Sequence, residues 1–279
     1  MSTLVTQAKN ATRRKLDCTY PSAFLNLAVE ETIGRNFSIG SRTQPTIRLW
    51  VNPKSVILGR FQSVRSEVDL VQCHLNDVQI VRRFTGGGAV FHDEGTLNLT
   101  ITSARPESSL LEFQETNLRL VLDALDKLGV RCSASPPNSI LIKGRKICGA
   151  ACAVGINFGI WHCSVLVDTD VQLLESTLAP SRSKTKSRFV RSRWQPVTTL
   201  SHVLCRRVDV SEVARIFEST IEARFGNKLE SSGLSTEEKE CLQVLYTQKY
   251  SLDEWNMEGE RGFVYGKEKG RANHTTIAV

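Results

Sequence analysis

Three consecutive glycines, Gly86-Gly87-Gly88, stand between two strand-like runs and constrain the fold of this chain more than any other feature. The runs are Gln79–Arg83 before the glycines and Ala89–His92 after them. Glycine permits positive φ and lets the backbone approach a ligand closely, so successive N–H groups can converge on an anion. Arg82 and Arg83 add positive charge beside the turn. The pattern therefore predicts a strand–turn–strand unit that can hold an anionic group.

The glycine run differs from both common nucleotide-binding loops. A P-loop needs a Lys-Ser or Lys-Thr pair after its glycines, and this sequence has none there. The dinucleotide-binding fingerprint needs a helix after its glycines, whereas a strand-like run follows here. The glycine count alone also fits a plain hairpin turn with exposed arginines, and that alternative stays open at this point.

The other elements mix short strand-like runs with helices in no regular order. Helical patterns cover Ala23–Arg35, Leu110–Leu128, Ser211–Phe225 and Thr236–Lys249. Further strand-like runs are Thr46–Val51, Ser55–Leu58, Thr96–Thr102, Ser139–Lys143, Arg145–Ala151 and Ile160–Asp168. Ser231-Ser232-Gly233 is expected to link the last two helices. This order predicts an α+β fold with a mixed, mainly antiparallel sheet and flanking helices, and not repeated βαβ units.

Composition limits the compartment and the partners. The chain of 279 residues has 36 Lys and Arg against 29 Asp and Glu, and its net charge of +7 favours anionic partners. No apolar run approaches the ~18 residues of a membrane-spanning helix, so no membrane partner is expected. The 8 cysteines are scattered and follow no secretory signal, which predicts reduced thiols and a cytoplasmic location. The basic residues 1–16 contain no acid and leave a mitochondrial presequence as the alternative.

Three blocks of the sequence resemble one family. The string Arg82-Arg83-Phe84-Thr85-Gly86-Gly87-Gly88-Ala89-Val90-Phe91-His92-Asp93, followed by Gly95 and Asn98, closely resembles the signature of lipoate–protein ligases. Their superfamily also contains octanoyl- and lipoyltransferases and biotin ligases. Asn138-Ser139-Ile140 and Gly144-Arg145-Lys146-Ile147-Cys148-Gly149 resemble the family's lysine hairpin, and Trp161-His162-Cys163-Ser164 resembles its paired-histidine strand. Shorter matches are Asn26–Glu31, Leu49-Trp50, Ile57–Gln62, Val190–Arg193 and Tyr250–Trp255.

The resemblance implies a biotin/lipoate ligase-like catalytic domain over residues 20–257, after an N-terminal extension (1–19) and before a mobile tail (258–279). It implies ATP-dependent activation of lipoate to lipoyl-adenylate and transfer to a lysine of a lipoyl-domain protein. ATP, Mg²⁺ and lipoate are the expected ligands, and Lys146 is the expected catalytic residue. The lipoate- and adenylate-binding residues implied by the motifs are Trp50, Arg83, Thr85, Gly86, Gly87, Gly88, Ala89, Val90, Phe91, His92, Asn138 and His162.

The resemblance also suggests partners. Many bacterial ligases carry a further C-terminal domain, and this sequence stops soon after Trp255, so we expect a separate accessory-domain protein. Nucleic acid is not an expected partner, because we find no helix-turn-helix pattern. The cation-rich stretch Arg182–Trp194 fits a solvated loop, a loop that closes over adenylate, or a dock for an acidic carrier domain. The alternative functions are an ATP-independent octanoyl or lipoyl transferase and a non-catalytic regulatory protein that binds acyl-adenylate; retention of Lys146 argues against the latter.

Several residues depart from the family pattern. Ser139 stands where ligases usually have an acid, and Trp161 replaces the first of two histidines. Cys148 and Ala150 stand where the family usually has serines. Ligand preference is therefore open.

The cysteines raise two further hypotheses. Cys148, Cys152, His162 and Cys163 lack the second pair of ligands that a zinc site needs, so no protein-bound metal is predicted. Cys132 lies near the nucleophile position of some octanoyltransferases, but its neighbours do not match that pattern.

Overall fold

The computed structural model describes residues 13–39, 45–179 and 189–259. Its strands are β1 (Arg13–Leu16), β2 (Thr46–Trp50), β3 (Ser55–Leu58), β4 (Gln79–Arg82), β5 (Val90–His92), β6 (Thr96–Ala104), β7 (Ser133–Ser135), β8 (Ser139–Ile142), β9 (Arg145–Val154), β10 (Phe158–Leu166) and β11 (Leu229–Ser232). Its α-helices are α1 (Ala23–Ile39), α2 (Val64–Glu67), α3 (Leu70–Leu75), α4 (Leu110–Lys127), α5 (Val171–Thr177), α6 (Leu200–Val203), α7 (Val210–Phe225) and α8 (Thr236–Leu245). Two π-helical turns follow, Tyr246–Tyr250 and Glu254–Glu258.

The strands form two sheets. The larger one has the order β11-β1-β2-β6-β10-β9-β8-β7, and the smaller one the order β4-β3-β5. In the larger sheet, β1 pairs in parallel with β11 and β2, and all the other neighbours are antiparallel. The predicted α+β fold with a mixed, mainly antiparallel sheet is confirmed. No helix in the described ranges is both long enough and apolar enough to span a bilayer.

The larger sheet has two chemically different faces, because successive side chains of a strand point to opposite sides. On one face, directly paired residues of β2, β6 and β10 form two mainly polar rows: Arg48, Thr100 and His162, then Trp50, Asn98 and Ser164. The opposite face carries two apolar rows: Ile47, Ile101 and Trp161, then Leu49, Leu99 and Cys163. We call these the polar face and the apolar face.

Helices α4 and α7 cover the apolar face. Their buried residues include Leu118, Val121, Leu125, Val213 and Phe217, all in one core cluster with the apolar rows. The capping box of Ser109 and Glu112 starts α4. Helical spacing predicts that this helix buries a stripe of Leu111, Leu118, Val121, Leu122, Leu125 and Leu128. The prediction is wrong for Leu111, which is 52% exposed, and Phe113 contributes to the core instead.

Helix α1 covers the polar face and is buried on all sides between residues 26 and 34. The helical spacing of Phe24, Leu27, Ala28 and Ile33 predicts an amphipathic helix. This prediction is wrong, because α8 and the first π-helical turn cover the side that faces away from the sheet. Glu31 shows this directly: its Oε2 accepts hydrogen bonds from Lys249 Nζ and Tyr250 Oη, both at 2.7 Å. Burial raises the pKa of Glu31, but Lys249, Arg35 and Tyr250 together lower it to about 2.

Three short strands were not predicted: β1, β11 and the three-residue edge strand β7 (Ser133–Ser135), which has no apolar run. Arg13–Leu16, assigned above to the N-terminal extension, forms β1 inside the larger sheet, where a buried ion pair of 2.8 Å joins Arg14 to Glu238. Leu229–Ser232, expected to lie in part within a linker, forms β11 beside it. Charged and polar residues dominate both strands, so their alternation gives little hydrophobic signal. Residues 1–12 of the extension and 260–279 of the tail lie outside the described residues.

Candidate active site

Arg83 holds the glycine run in place. Its Nη2 donates to the carbonyl oxygens of Gly86 at 2.6 Å and Gly88 at 2.8 Å, and its Nη1 donates to Ile57 O at 3.1 Å. Gly87 has φ +90°, and a Cβ at this position would lie 2.9 Å from Arg83 Nη2. The run therefore requires glycine both for its conformation and for the close approach of the guanidinium. Burial lowers the pKa of Arg83 to about 10.

Arg82 faces the other way, so the expectation that both arginines flank an anion is wrong for this residue. Its Nη1 donates to Gly59 O at 3.0 Å and Gln62 O at 2.7 Å. Its Nε donates to Trp255 O at 2.9 Å, and Trp255 Nε1 donates back to Arg82 O at 2.8 Å. Successive residues at a strand end point to opposite sides. Arg82 thus joins the second π-helical turn to β4 from behind the glycine run.

A cavity of about 290 Å³ opens on the polar face of the sheet. Most of the predicted binding residues line it: Trp50, Arg83, Gly87, Gly88, Ala89, Val90, His92, Asn138 and His162, together with Lys146. Leu27 and Ile57 add apolar wall. The three other predicted residues do not line this cavity. Thr85 and Gly86 support its wall from behind, because Thr85 Oγ1 and Gly86 O both accept hydrogen bonds from the Arg83 side chain. Phe91 lies in the core and lines a second cavity.

A chain of hydrogen bonds links α1 to this wall. His162 Nδ1 lies 2.9 Å from Glu30 Oε2, and His162 Nε2 lies 2.9 Å from Thr85 Oγ1. Glu30 Oε1 accepts from the hydroxyl of Thr100, which accepts from Trp50 Nε1 at 3.0 Å. Burial raises the pKa of the Glu30 carboxyl, but the opposing effects of His162, Thr100 and Arg48 lower it overall. The network fixes His162 and Trp50 before any ligand arrives.

His92 is held as a neutral imidazole. Asn52 Nδ2 donates to its Nδ1 at 3.0 Å, which leaves the proton on Nε2 to donate to Ser164 Oγ at 2.7 Å. Ser164 in turn donates to Asn98 Oδ1 at 2.8 Å. Burial lowers the pKa of His92 to about 3. This side chain therefore supplies a fixed, uncharged polar surface at the base of the cavity.

Lys146 lies at the start of β9 and is fixed by its backbone. Its N–H donates to Pro196 O at 2.7 Å, and its carbonyl accepts from Thr198 N at 3.0 Å. Its side chain lies flat over Gly149, where a Cβ would come within 2.8 Å of both Lys146 Cε and Nζ. Burial lowers the pKa of Lys146, and Arg83 adds to this effect, whereas Cys148 opposes it. The side chain has no hydrogen-bond or ion-pair partner among the described residues.

A second cavity of about 340 Å³ adjoins the first, and Lys146 lines both. Its wall is largely apolar, with Phe91, Cys148, Leu166, Leu174, Leu178 and Val197. Ala89, Val90, Gly149, Ser164, Ser192, Arg193 and Gln195 are also shared by the two cavities. Lys146 thus stands where two ligand volumes meet.

Ser192 closes the site opposite the glycine run. Its Oγ accepts hydrogen bonds from Ala89 N at 2.8 Å and Gln62 Nε2 at 3.0 Å. Its own N–H donates to the Glu67 carboxylate at 3.1 and 3.2 Å. Burial raises the pKa of that carboxyl. Of the cation-rich stretch, Arg182, Lys184, Lys186 and Arg188 lie outside the described residues.

Three of the four departures from the family pattern line a cavity: Ser139 and Ala150 line the first, and Cys148 lines the second. Trp161 is fully buried on the apolar face, so it does not share a side of the sheet with His162. Cys132 donates to Val130 O, and burial, with smaller effects of Cys148 and Asp126, raises the pKa of this thiol to about 11. Cys132 lines neither cavity, which removes the support for a nucleophile at this position. Ser139 does line the first cavity, 3.5 Å from Gln195 Oε1.

Glu30, Asn98, Gly149 and Ser164 line the first cavity but were not predicted as site residues. All four lie within the segments that resemble the family: Glu30 in Asn26–Glu31, and Asn98, Gly149 and Ser164 in the three longer blocks. The sequence alone does not show which residues of these segments face the cavity. In the described ranges, no group of three His, Cys, Asp or Glu side chains could hold a metal ion.

Comparisons with known proteins agree with this geometry. The family model described as the lipoyl protein ligase A/B catalytic domain matches residues 22–222. Lipoate-protein ligase A subunit 1 of Thermoplasma acidophilum is 29% identical over 245 residues, which are 84% of this chain and 91% of that protein. A structure of a bi-partite lipoate protein ligase and its E2 lipoyl domain from Thermoplasma acidophilum has a TM-score of 0.79 at 26% identity, over 93% of this chain and 100% of that chain.

A crystal structure of lipoate-protein ligase A bound with ATP has a TM-score of 0.77 at 27% identity, over 88% of this chain and 98% of that chain. The range matched by the family model includes α1 and all the residues that line the two cavities. Because the match covers well over half of the residues of this chain, the chain belongs to the lipoyl protein ligase A/B catalytic domain family.

Proposed function

We propose that this protein activates lipoate with ATP to lipoyl-adenylate and transfers the lipoyl group to a lysine of a lipoyl-domain acceptor. One observation carries the proposal: Lys146, without a partner among the described residues, stands at the junction of two cavities. The first cavity has apolar wall from Leu27, Trp50 and Ile57, and it suits the acyl chain. The second suits the nucleotide. The named ligases that the chain resembles support this assignment.

Adenylation joins two anions. A carboxylate oxygen of lipoate attacks the α-phosphorus of ATP, an O–P bond forms, and pyrophosphate leaves. The repulsion between carboxylate and phosphate must be offset where they meet, which a fixed ammonium in a dry site does effectively. Lys146 occupies that position, and its lowered pKa reflects burial that anionic ligands would offset. Arg83 acts indirectly, by holding the glycine run against the same junction.

Transfer uses the same lysine. The amine of the acceptor attacks the acyl carbonyl, a C–N bond forms, the C–O bond to phosphate breaks, and AMP leaves with release of one amine proton. Lys146 can stabilise negative charge on the carbonyl oxygen and on the departing phosphate. His92 and His162 form a fixed wall against which the acyl chain can pack. Both ring nitrogens of each imidazole are hydrogen-bonded within the protein, so neither ring can turn.

The Mg²⁺ ion that accompanies ATP would be held chiefly by phosphates and water. The first cavity offers the neutral oxygens of Asn138, Ser139 and Gln195, and the second adds two carboxylates, Glu67, which accepts from Ser192 N, and the exposed Glu175. A Mg²⁺ ion that keeps several waters and binds substrate phosphate needs only one or two oxygens of this kind from the protein. The ion would neutralise phosphate charge.

The decisive experiment measures each half of the reaction. The purified protein is incubated with lipoate and Mg-ATP in the presence of an accessory-domain protein, pyrophosphate release is followed, and a lipoyl-domain acceptor is then analysed by mass spectrometry. We expect pyrophosphate release and an acceptor heavier by one lipoyl group. Acceptor modification from an acyl-carrier donor without ATP would instead establish a transferase. Binding of lipoyl-adenylate without turnover would establish a regulatory protein.

An accessory protein completes the proposal. The relative from Thermoplasma acidophilum is named as a subunit and its structure as bi-partite, which supports a second polypeptide here. We expect poor ATP-dependent lipoylation by this chain alone and full activity after addition of an accessory-domain protein. An assay from preformed lipoyl-adenylate separates a defect in activation from one in transfer. Efficient ATP-dependent lipoylation by the chain alone would overturn the partner requirement.

A further inference from the structure

Trp194 stands at the mouth of the second cavity with 65% of its surface exposed. Its two neighbours, Arg193 and Gln195, line both cavities, as Lys146 does. The indole is therefore placed beside the junction where the activated acyl group would lie. A large apolar side chain in such a position is costly to leave in water and is typical of a partner contact.

The backbone that presents Trp194 is rigid. The following segment runs beside the lysine hairpin and exchanges hydrogen bonds with Lys146 through Pro196 O and Thr198 N. Arg145 Nε donates to Val197 O at 2.9 Å and adds a third bond. Trp194 and the hairpin thus form one fixed rim around the opening nearest to Lys146. A preorganised rim loses little entropy when a partner binds.

The rim is positively charged. Lys143, Arg145 and Arg193 are all exposed. Of the exposed charged residues that line the second cavity, Arg193 is a cation and Glu175, on α5, is an acid. Lys143 and Arg145 on the neighbouring hairpin add two exposed cations, so this side of the opening favours a partner that carries carboxylates.

We propose that Trp194, Lys143, Arg145 and Arg193 form the docking surface for the acceptor domain, and that this domain presents its target lysine among carboxylates. The inference rests on the proposed function. A lysine side chain has only a four-carbon stem, so the acceptor backbone must come up to the rim before its amine can reach an acyl group beside Lys146. Whatever surrounds that opening must touch the acceptor. Trp and Arg are also the residues that most often anchor protein interfaces.

Stacking on the adenine base is the competing role for Trp194. An adenine held in the second cavity would be enclosed by Phe91, Leu166 and Leu174. Trp194 also lines that cavity, and 65% of its surface is exposed to solvent. The exposed charges around it have no counterpart in a neutral base. The observations therefore favour a protein partner.

The test uses preformed lipoyl-adenylate and a titration of lipoyl-domain acceptor, which separates KM for the acceptor from kcat. The variants are Trp194→Ala and Lys143→Glu, with Leu111→Ala and Arg119→Glu on the distant helix α4 as matched controls for an exposed apolar and an exposed charged residue. We expect Trp194→Ala to raise the acceptor KM about tenfold or more, and Lys143→Glu about threefold, with little change in kcat. Replacing a carboxylate near the target lysine of the acceptor by lysine should restore the KM of Lys143→Glu.

The outcomes are separable. If both variants keep an acceptor KM within about twofold of wild type, as the controls should, the docking surface is wrong while the proposed function stands. If Trp194→Ala instead weakens binding of lipoyl-adenylate itself, measured by calorimetry without acceptor, the indole stacks on the nucleotide and the inference is overturned. If the wild-type protein, with accessory protein present, transfers nothing from lipoyl-adenylate, the proposed function fails and the inference fails with it.

Discussion

The two faces of the larger sheet need different kinds of residue: one needs side chains that form hydrogen bonds, and the other needs side chains that pack into a core. On the polar face, His162 is fixed by Glu30 and Thr85, and His92 by Asn52 and Ser164, with every bond between 2.7 and 3.0 Å. On the apolar face, Trp161, Cys163 and Val165 pack into a core formed with α4 and α7. Neighbouring residues of β10 therefore belong to two different environments. A change on the first face should alter chemistry, and a change on the second should alter stability.

The departures from the family pattern divide between the two environments. Trp161 belongs to the core cluster of the apolar face and lines neither cavity. Cys148 and Ala150 belong to the same cluster but also line a cavity, and Ser139 lines the first cavity. Substitutions of Trp161 therefore measure core packing, whereas substitutions at the other three positions can change ligand binding as well.

Lys146→Ala is expected to have the largest effect. It removes the cation at the junction of the cavities, so adenylate formation and transfer should each fall at least about a hundredfold, or about 2.7 kcal/mol. Lys146→Arg should not restore the rate. The lysine side chain lies flat on Gly149 and ends in a compact ammonium group, which a larger, planar guanidinium cannot replace. Pyrophosphate release and acceptor lipoylation measure the two steps. The exposed Lys127→Ala on α4 is the control. A variant that kept more than about a tenth of the rate would refute the catalytic role.

Gly87→Val should abolish ligand binding at the same face. The position has φ +90°, which a β-branched residue adopts only with strain, and its Cβ would meet Arg83 Nη2 at 2.9 Å. Displacing Arg83 releases the carbonyls of Gly86 and Gly88. We expect lipoyl-adenylate affinity to fall at least about tenfold in calorimetry, or about 1.4 kcal/mol. Unchanged affinity in a folded variant would show that the run is an ordinary turn.

Gly149→Ala tests a narrower point, the placement of the lysine. The new methyl would lie 2.8 Å from Lys146 Cε and Nζ, and a flexible side chain can move away cheaply. The free energy of unfolding should change by less than about 1 kcal/mol, whereas the adenylation rate should fall about tenfold, since a small misplacement of a catalytic group is costly. Gly233→Ala, whose Cβ meets nothing within 4 Å, is the matched control. Equal rates for both variants would show that the lysine does not need this surface.

Much of the fold could be predicted from local signals. Ser55–Leu58 was predicted with its observed bounds, and α8 begins at Thr236 as predicted, after a capping box of Ser235 and Glu238. Arg13–Leu16 could not be found in this way, because its burial depends on β2 and β11, which lie far away in sequence. Burial of α1 on all sides has the same origin: its second cover comes from α8 and the first π-helical turn.

The site was predictable where the motifs are contiguous. The glycine run, Lys146 and His162 were predicted, and the structure brings them to one cavity. The role of Arg82 could not be predicted, because the two adjacent arginines differ only in the side of the strand to which each points. The role of Glu30 could not be predicted either, because it depends on a hydrogen bond to His162, which is 132 positions away in the sequence. Such pairings arise only when the sheet and α1 are assembled.

His92 makes the polar face sensitive to acid. Its pKa is lowered to about 3 in the folded protein by burial, against 6.5 when exposed, so the unfolded state binds more protons across that window. The free energy of unfolding should therefore rise with pH up to about 6.5 and fall on acidification. Between about pH 7 and about pH 5, His92 alone contributes about 2 kcal/mol of that fall.

Urea unfolding of His92→Asn at both pH values measures this contribution. The amide keeps an acceptor toward Asn52 but does not titrate. The variant should be less stable than wild type at neutral pH, and the difference in free energy of unfolding should narrow as the pH falls. Because both proteins carry the other histidines, their contributions cancel in this difference. Parallel declines in the two proteins would show that His92 is not the buried neutral group.

Trp161→Phe should have the smallest effect and tests the other side of the comparison. Trp161 is fully buried on the apolar face, and its Nε1 has no hydrogen-bond partner among the described residues. Phenylalanine removes that unsatisfied donor but leaves some space unfilled, and these two changes oppose each other. The free energy of unfolding should shift by about 1 kcal/mol at most, and ligase activity should stay within about twofold.

Trp161→His, which installs the residue that the family usually has, should lose more stability, since it buries a polar ring among apolar neighbours. It should gain no activity, because residue 161 points away from both cavities. A gain in acyl-adenylate affinity with histidine at this position would show that the two faces of β10 are coupled, and that chemistry and packing are not separated in this sheet.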